Sequence, residues 1–347
     1  MDEVLRNWSG EFILTSYDEA ANATMFIAVH STRLGPAAGG TRIKTYPTAG
    51  DALADAARLA AAMTLKMAVA GLPMGGGKSV LAVEPEPLSP EARHGLLRHH
   101  AENIERLGGR YYTGPDMNTT AADMDMIGEG TGRVFGRTPA HGGSGSSAPD
   151  TAVGVFHGIQ ASVSHVFGTD DVAGRTVMVQ GTGAVGQPLT EMLVDAGAKV
   201  LISDVDSDRA DEMSARLPVL VVEPDAVVGT ECDVYAPCAV GGVLSPETIP
   251  ALRCRIVAGA ANNPLSAPSD AQLLRAAGIL YAPDFVINGG GAIHLIGYEA
   301  LGWSSEQVQR GIRGIGDTLR SIYAAARADG VTTEEAAERL AAARLQA

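Results

Sequence analysis

Two lysines and an aspartate in the N-terminal part of the chain stand in surroundings that do not suit plain solvation. Lys66 lies in the apolar run Ala61-Ala62-Met63-Thr64-Leu65-Lys66-Met67-Ala68-Val69, Lys78 follows Gly75-Gly76-Gly77 and precedes an apolar stretch, and Asp116 ends Thr113-Gly114-Pro115-Asp116 at a turn. Lysine is rarely buried without a partner, so two in glycine-bordered apolar surroundings suggest an anion site. A buried, crowded lysine also loses proton affinity and serves as a base near neutrality. Taken singly, each residue has a plainer reading: a lysine whose stem covers a helix core, a loop lysine at a strand start, and an Asx-turn aspartate.

A second pattern concerns phosphates. Gly181-Thr182-Gly183-Ala184-Val185-Gly186 is G-x-G-x-x-G, preceded by the strand-like Thr176-Val177-Met178-Val179 and followed by a helical stretch. Asp204 ends the next strand, about 20 residues on, as a dinucleotide fingerprint requires. The first glycine makes the turn, the second admits the pyrophosphate, the third packs helix on strand, and the helix N-terminus offers N–H groups to the phosphates. Asp204 would accept the ribose hydroxyls and repel a 2′-phosphate, which favours NAD over NADP; Asp206 and Asp208 add to that repulsion and Arg209 opposes it. Gly75-Gly76-Gly77-Lys78-Ser79 is not a P-loop, because G-x-x-x-x-G-K needs glycine at Leu72 and a helix precedes the run.

These residues need elements to hold them. Residues 11–30 read as two strands, Asp51–Val69 as an alanine-rich helix stopped by Gly71, Pro73 and the triple glycine, and Ser79–Val83 as a short strand. Gly35–Gly40 reads as a glycine-rich turn. Ser89-Pro90 opens a helix running to about Leu107, with the pair His99-His100 expected to be solvated. His141–Ser147 (HGGSGSS) is a linker expected to act as a hinge. Beyond it, short apolar runs alternate with helical stretches to the end of the chain. The fold class expected is α/β, with a parallel sheet flanked by helices. Residues 1–147 are expected to form a substrate and oligomerisation domain, 148–330 a Rossmann-like domain with a cleft between the two, and 331–347 a helix packing back on the first domain.

Composition excludes other classes. The chain has 347 residues, 46% hydrophobic and 19% charged, with Lys and Arg numbering 26 against 40 Asp and Glu, a formal net charge of −14. That balance lacks the positive field used for nucleic acid or anionic membranes. Three cysteines without a CxxC pair fit a reducing compartment, and no signal peptide or membrane span is read, so a cytoplasmic protein is expected. No histidine or cysteine spacing suits a metal.

Several segments, in order, carry a resemblance: Pro36-Ala37-Ala38-Gly39-Gly40-Thr41-Arg42, Met63-Thr64-Leu65-Lys66, Leu72-Pro73-Met74-Gly75-Gly76-Gly77-Lys78, Thr113-Gly114-Pro115-Asp116, Gln180 to Gly186, Gly259-Ala260-Ala261-Asn262-Asn263 and Asn288-Gly289-Gly290-Gly291. Over nearly the whole chain they resemble the glutamate/leucine/phenylalanine/valine dehydrogenase family, most closely its phenylalanine dehydrogenases. The resemblance implies an NAD-dependent homo-oligomer that reversibly deaminates an L-amino acid to its 2-oxo acid and ammonia. Lys66 would bind the α-carboxylate, assisted by backbone near Gly39 and Gly40. Lys78 would be the base that activates water, and Asp116, next to Pro115, would move protons to and from the substrate nitrogen. Thr151, Ala239, Ala261 and Asn262 would lie near the nicotinamide or its ribose, Asn262 also meeting substrate.

The same resemblance bears on the side chain accepted. Glutamate enzymes carry a lysine where Ala38 stands, so a γ-carboxylate would be buried here without a partner. Leucine enzymes have leucine at Ala38, alanine at Gly114 and valines at Ala292 and Leu295. Three of these four positions are smaller here, which leaves room for a ring and implies L-phenylalanine and related large hydrophobic amino acids. Ile287 and Gly289 depart from the expected alanines; Ile287 would narrow the pocket and Gly289 loosen the loop. His294 could face the pocket or support it from behind. The alternatives are a leucine or valine dehydrogenase, and an NAD-sensing protein without turnover, which would have no need of Lys66, Lys78 and Asp116 together.

Overall fold

The computed structural model describes residues 2–346, with side chains from Val4 on. Its chain gathers into two units, Met1–Ser146 with Leu295–Gly302 and Ala341–Ala347, and Ser147–His294 with Trp303–Leu340.

In the first unit, after α1 (Asp2–Arg6), β1 (Phe12–Asp18) and the almost wholly buried β2 (Ala23–Ser31) form a hairpin, registered from Phe12↔Val29 to Asp18↔Ala23. Then follow β3 (Ala37–Lys44), α2 (Ala49–Ala70), β4 (Gly75–Ala82), α3 (Pro90–Arg106), β5 (Tyr111–Pro115) and α4 (Ala121–Gly128). The five-stranded sheet has the order β1-β2-β4-β3-β5, with β4, β3 and β5 mutually parallel. Thr48 caps α2 by accepting from Asp51 N–H, and Gly71 ends it in the left-handed region at φ 66°. Ser89 caps α3 with Pro90 in its first turn.

Period-two alternation sorts the sheet's side chains. Phe26, Ala28 and Val80 face Ala52, Leu53, Ala56 and Ala60 of α2. Met25, Ile27, Val29 and Leu81 face Leu96, Leu97 and Ile104 of α3 and Met124 and Ile127 of α4. Burial of each large apolar side chain contributes about 1.5–3 kcal/mol relative to exposure.

β3 takes in all but the first two residues of the glycine-rich turn expected at Gly35–Gly40, and β4 begins on the triple glycine expected only to stop the helix. Their composition hid them because close approach, rather than turn geometry, selects the glycines. A Cβ at Gly76 would overlap Thr64 of α2, and one at Gly39 would overlap the Gly77 carbonyl oxygen. The histidine pair also differs from expectation. His100 is fully buried, its Nε2 3.0 Å from Thr41 Oγ1, and burial takes it down to about 3. His99 Nδ1 lies 2.9 Å from Asp18 Oδ2.

The second unit contains α5 (Ala148–Phe167), β6 (Thr176–Gln180), α6 (Gly186–Asp195), β7 (Lys199–Ser203), α7 (Ser207–Arg216), β8 (Val219–Val221), β9 (Val234–Pro237), β10 (Ile256–Val257), α8 (Asp270–Ala276), β11 (Leu280–Tyr281) and α9 (Asp284–Ile287). The helix α10 (Gly290–Leu295) leads into a π-helical stretch, Ile296–Ala300, and then α11 (Ser305–Asp329) and α12 (Thr333–Gln346). The six strands run parallel in the order β11-β10-β9-β6-β7-β8. Ser304 and Gln307 make the capping box that opens α11. The connection order reverses beside β6, the place where open α/β sheets bind ligands.

The final segment divides. Thr333 Oγ1 donates to the Tyr281 carbonyl in the second unit, at 2.6 Å, whereas Arg344 donates to the Ala68 carbonyl in the first, at 3.0 Å. Residues 331–347 therefore do not pack as one piece on the first unit; 341–347 do. Among the described residues no helix is long and apolar enough to cross a membrane.

Candidate active site

Two parallel strands of the first unit bring Lys78 and Asp116 together. Lys78 is in the middle of β4 and Asp116 immediately follows β5. Their charged ends meet, Lys78 Nζ to Asp116 Oδ2 at 3.1 Å, with Lys78 side-chain exposure 6% and that of Asp116 19%. Burial pulls the Lys78 ammonium below its ordinary range; Asp116 opposes that shift and Arg42 adds to it. Burial alone would raise Asp116, but Lys78 and Arg42 together bring it down to about 2. The site therefore holds a firmly ionised carboxylate against a lysine that gives up its proton more readily than in water.

The glycines make that approach possible. Gly40 would set a Cβ 2.7 Å from Asp116 Cβ, so a side chain there would push the aspartate away. Gly39 lies beneath Lys78, its carbonyl accepting from Tyr111 Oη at 2.6 Å. Lys66 is half-buried on α2, which packs along β4. Ala38 and Gly114 are buried in β3 and β5, and Pro115 is exposed at the strand end. A Cβ on Gly114 would meet Phe135 at 3.8 Å, and Leu295 Cδ2 lies 3.6 Å from where a Cβ on Gly136 would stand, so Gly114 and Leu295 flank the same Phe135-Gly136 segment. Ala292 belongs to the second unit.

Arg42 and Asp55 join this cluster, and sequence reasoning did not single them out. Arg42 Nε is 2.8 Å from Asp116 Oδ2 and Arg42 Nη1 is 2.9 Å from Asp55 Oδ2, an oxygen that also accepts from Tyr46 Oη at 2.7 Å. The signal was the strand period: Gly40 and Arg42 share a face once β3 is known to be a strand. Beneath Lys78, on the opposite face of the sheet, Thr41 Oγ1 stands 2.6 Å from Thr113 Oγ1, 3.0 Å from Ser79 Oγ and 3.0 Å from His100 Nε2, all buried. Ser79 Oγ is in turn 3.0 Å from Tyr111 Oη.

In the second unit the phosphate turn follows β6. Gly181 has φ +96°, and a Cβ there would stand 2.7 Å from that of Ala239. Gly186 lies against the Gly181 carbonyl, while Gly183 has open space where its Cβ would be. Ala184 and Val185 carry the chain into α6. Asp204 follows β7, Ala239 follows β9, and Ala261 and Asn262 follow β10, all at strand C-termini. Thr151 is in the first turn of α5, its Oγ1 donating to the Ser147 carbonyl at 2.9 Å, and Asn262 Oδ1 accepts from Asn288 at 2.9 Å. The open approach over Gly183 and the acid beyond it fit a dinucleotide.

Asp204 accepts from Thr182 N–H at 2.7 Å and Thr182 Oγ1 at 2.9 Å, and Arg209 lies 3.4 Å away. Asp204→Ser should lower the preference for NAD⁺ over NADP⁺, read as the ratio of kcat/KM values, by about tenfold or more, since it removes the repelling charge and leaves Asp206 alone on Arg209. An unchanged ratio would mean that Asp204 does not read the ribose.

Two further side chains are firmly held. Ile287 is fully buried where Gly158 of α5 makes room for it. His294 is buried with its Nδ1 2.6 Å from Asp150 Oδ2, and Gln309 donates to the other oxygen of Asp150 at 2.7 Å. It fastens α10 to the start of α5.

Residues 13–132 match the Glu/Leu/Phe/Val dehydrogenase dimerisation domain, and 142–213 and 209–347 match the Glutamate/Leucine/Phenylalanine/Valine dehydrogenase model. A leucine dehydrogenase of Thermoactinomyces intermedius is 39% identical over 99% of this chain and 93% of its own. A valine dehydrogenase of Streptomyces albus is 40% identical over 96% of this chain and 92% of its own. The crystal structure of an L-tryptophan dehydrogenase from Nostoc punctiforme superposes with a TM-score of 0.84 at 38% identity, covering 100% of this chain and 98% of that one.

Proposed function

Because the chain belongs to the glutamate/leucine/phenylalanine/valine dehydrogenase family, we propose that it oxidatively deaminates branched apolar L-amino acids, leucine and valine foremost, in a reversible NAD-dependent reaction. It is an amino acid dehydrogenase, and its cofactor is NAD. The observation that carries the chemistry is the buried Lys78–Asp116 pair beside an arginine.

When bound, NAD⁺ takes up the hydride released from the substrate Cα. Lys66 holds the α-carboxylate. Lys78, neutral, removes a proton from water as the water oxygen bonds to the imine carbon and the C=N electron pair moves to nitrogen. Through Asp116, 3.1 Å from Lys78, that proton reaches the nitrogen to give the carbinolamine. Its hydroxyl then gives its proton to Lys78 as the C–N bond breaks to the 2-oxo carbonyl, and the nitrogen takes this second proton by the same route and leaves as ammonia. The turn made by Gly181 and closed by Gly186 would admit the pyrophosphate over Gly183, and Asp204 would take the ribose hydroxyls. The match to a dimerisation domain supports a homo-oligomer.

The relatives that are leucine and valine dehydrogenases support an aliphatic substrate in place of phenylalanine, and Ala38, where a lysine would be needed for a γ-carboxylate, argues against glutamate. One observation favours an aromatic second reading. It is the likeness to a tryptophan dehydrogenase, together with Gly114, whose missing side chain leaves Phe135 as the next group. NADH formation with Leu, Val, Ile, Phe, Trp and Glu at alkaline pH tests the substrate. Leucine or valine best and glutamate silent is the expected result. Phenylalanine or tryptophan best would install the aromatic reading, and tight NADH binding without any turnover would make the chain a sensor.

A further inference from the structure

We propose that Arg42, clamped by Asp55, is the standing counter-ion of Asp116 that allows Lys78 to discharge its proton without leaving the buried carboxylate alone, a positioning role that rests on the reading of Lys78 as the base. The geometry is specific. Lys78 Nζ and Arg42 Nε approach the same oxygen, Asp116 Oδ2, at 3.1 and 2.8 Å. A carboxylate with one buried cationic partner would bind that cation in its charged form and would be stranded when the partner lost its proton. With a second cation on the same oxygen, the pair survives neutral Lys78.

Arginine suits this position because it stays charged throughout the range in which a buried lysine titrates. The guanidinium is also fixed. Its Nη1 is 2.9 Å from Asp55 Oδ2, the same oxygen receives Tyr46 Oη at 2.7 Å, and Asp55 Oδ1 receives Arg58 at 2.6 Å. Side-chain exposure is 11% for Arg42 and 13% for Asp55, so neither swings freely in water. Three elements contribute to the arrangement: β3 carries Arg42, α2 carries Asp55, and the end of β5 carries Asp116.

The charged and titratable groups around Lys78 can be followed element by element. Asp116 and Asp55 favour its ammonium, whereas Arg42 and burial oppose it. From α2 come also Lys66 and the exposed Arg58; from β2 comes His30, held by Thr64 Oγ1 at 2.8 Å and lowered by burial, hence neutral in the alkaline range that matters. Removal of the Arg42 charge therefore raises the pH at which Lys78 gives its proton to solvent. Activity in the direction of deamination, which needs neutral Lys78, then begins at higher pH.

The test is the pH profile of kcat/KM for deamination in Arg42→Gln, Arg42→Lys and the wild type, with Lys78→Ala measured alongside. Arg42→Gln should move the acidic limb upward by about one unit, while Arg42→Lys, which keeps the charge, should restore most of the wild-type position. Arg42→Met replaces Arg42→Gln if the latter does not fold, and NADH binding by fluorescence verifies that each variant is intact. A uniform loss of rate with an unmoved limb would reduce Arg42 to a structural residue and overturn the proposal. An equal shift in Arg42→Lys and Arg42→Gln would also overturn it. Full activity in Lys78→Ala would instead remove the base reading itself, whatever Arg42 does.

Discussion

Lys78→Ala will cut turnover to about one thousandth of wild type or less while NADH still binds. General acid–base catalysis typically contributes 10²–10⁴-fold, and here the same side chain would both activate water and exchange the proton with Asp116. The fold should tolerate the change. Asp116 retains Arg42 at 2.8 Å, so the truncation leaves no buried carboxylate unpaired. The G-x-G-x-x-G turn belongs to the second unit, Lys78 to the first. Steady-state rates and a fluorescence titration with NADH check both halves. A rate within tenfold of wild type would show that another group takes the proton from water, and loss of NADH binding would undo the placement of Lys78 in the substrate half.

Gly39→Ala should be among the most destabilising single-methyl additions available in this chain. Its Cβ would overlap the carbonyl oxygen of Gly77, and the next obstacle, Lys78 Cα at 3.4 Å, is backbone too. Backbone on a central strand cannot rotate aside as a side chain can. The cost should exceed the 1–3 kcal/mol usual for overpacking, about 3 kcal/mol or more, and should displace Lys78 as β3 and β4 are forced apart. Gly114→Ala is the control: the same methyl meets Phe135 at 3.8 Å, ordinary contact. It should fold with wild-type stability. Thermal unfolding of the two variants decides the matter. Equal midpoints would mean that the sheet yields at Gly39, and the glycine would need a different explanation.

The contrast between these glycines explains what was legible in the sequence. The second unit followed from its pattern because apolar strands and helices alternate there, and G-x-G-x-x-G with Asp204 has a fixed structural context. The first unit was harder. β3 is Ala-Ala-Gly-Gly-Thr-Arg-Ile-Lys, with no β-branched residue in its first half, and β4 opens on three glycines. Neither resembles a strand by composition, since both are shaped by the backbone of a neighbour. Lys66, Lys78 and Asp116 stood out because charge is costly in apolar surroundings. Arg42 did not, because an arginine next to a presumed turn looks solvated. His100 was misjudged for the same reason: its partner Thr41 is remote in sequence and belongs to a strand that composition concealed.

The hydroxyl cluster under the sheet has a consequence for how the chain finds its fold. Ser79 and Lys78 are neighbours on β4, one facing Thr41, His100 and Tyr111, the other Asp116 and Arg42. A slip of one residue in the pairing of β4 would exchange them, driving an ammonium among Leu96, Leu97 and Ile104 and setting a hydroxyl before two charged groups. Flat, glycine-rich strands are ordinarily prone to such slippage, because small side chains penalise a wrong register weakly. Here the penalty is supplied by the polar residues that follow the glycines. The residues that would perform the reaction thus also proofread the pairing of the strand that carries them.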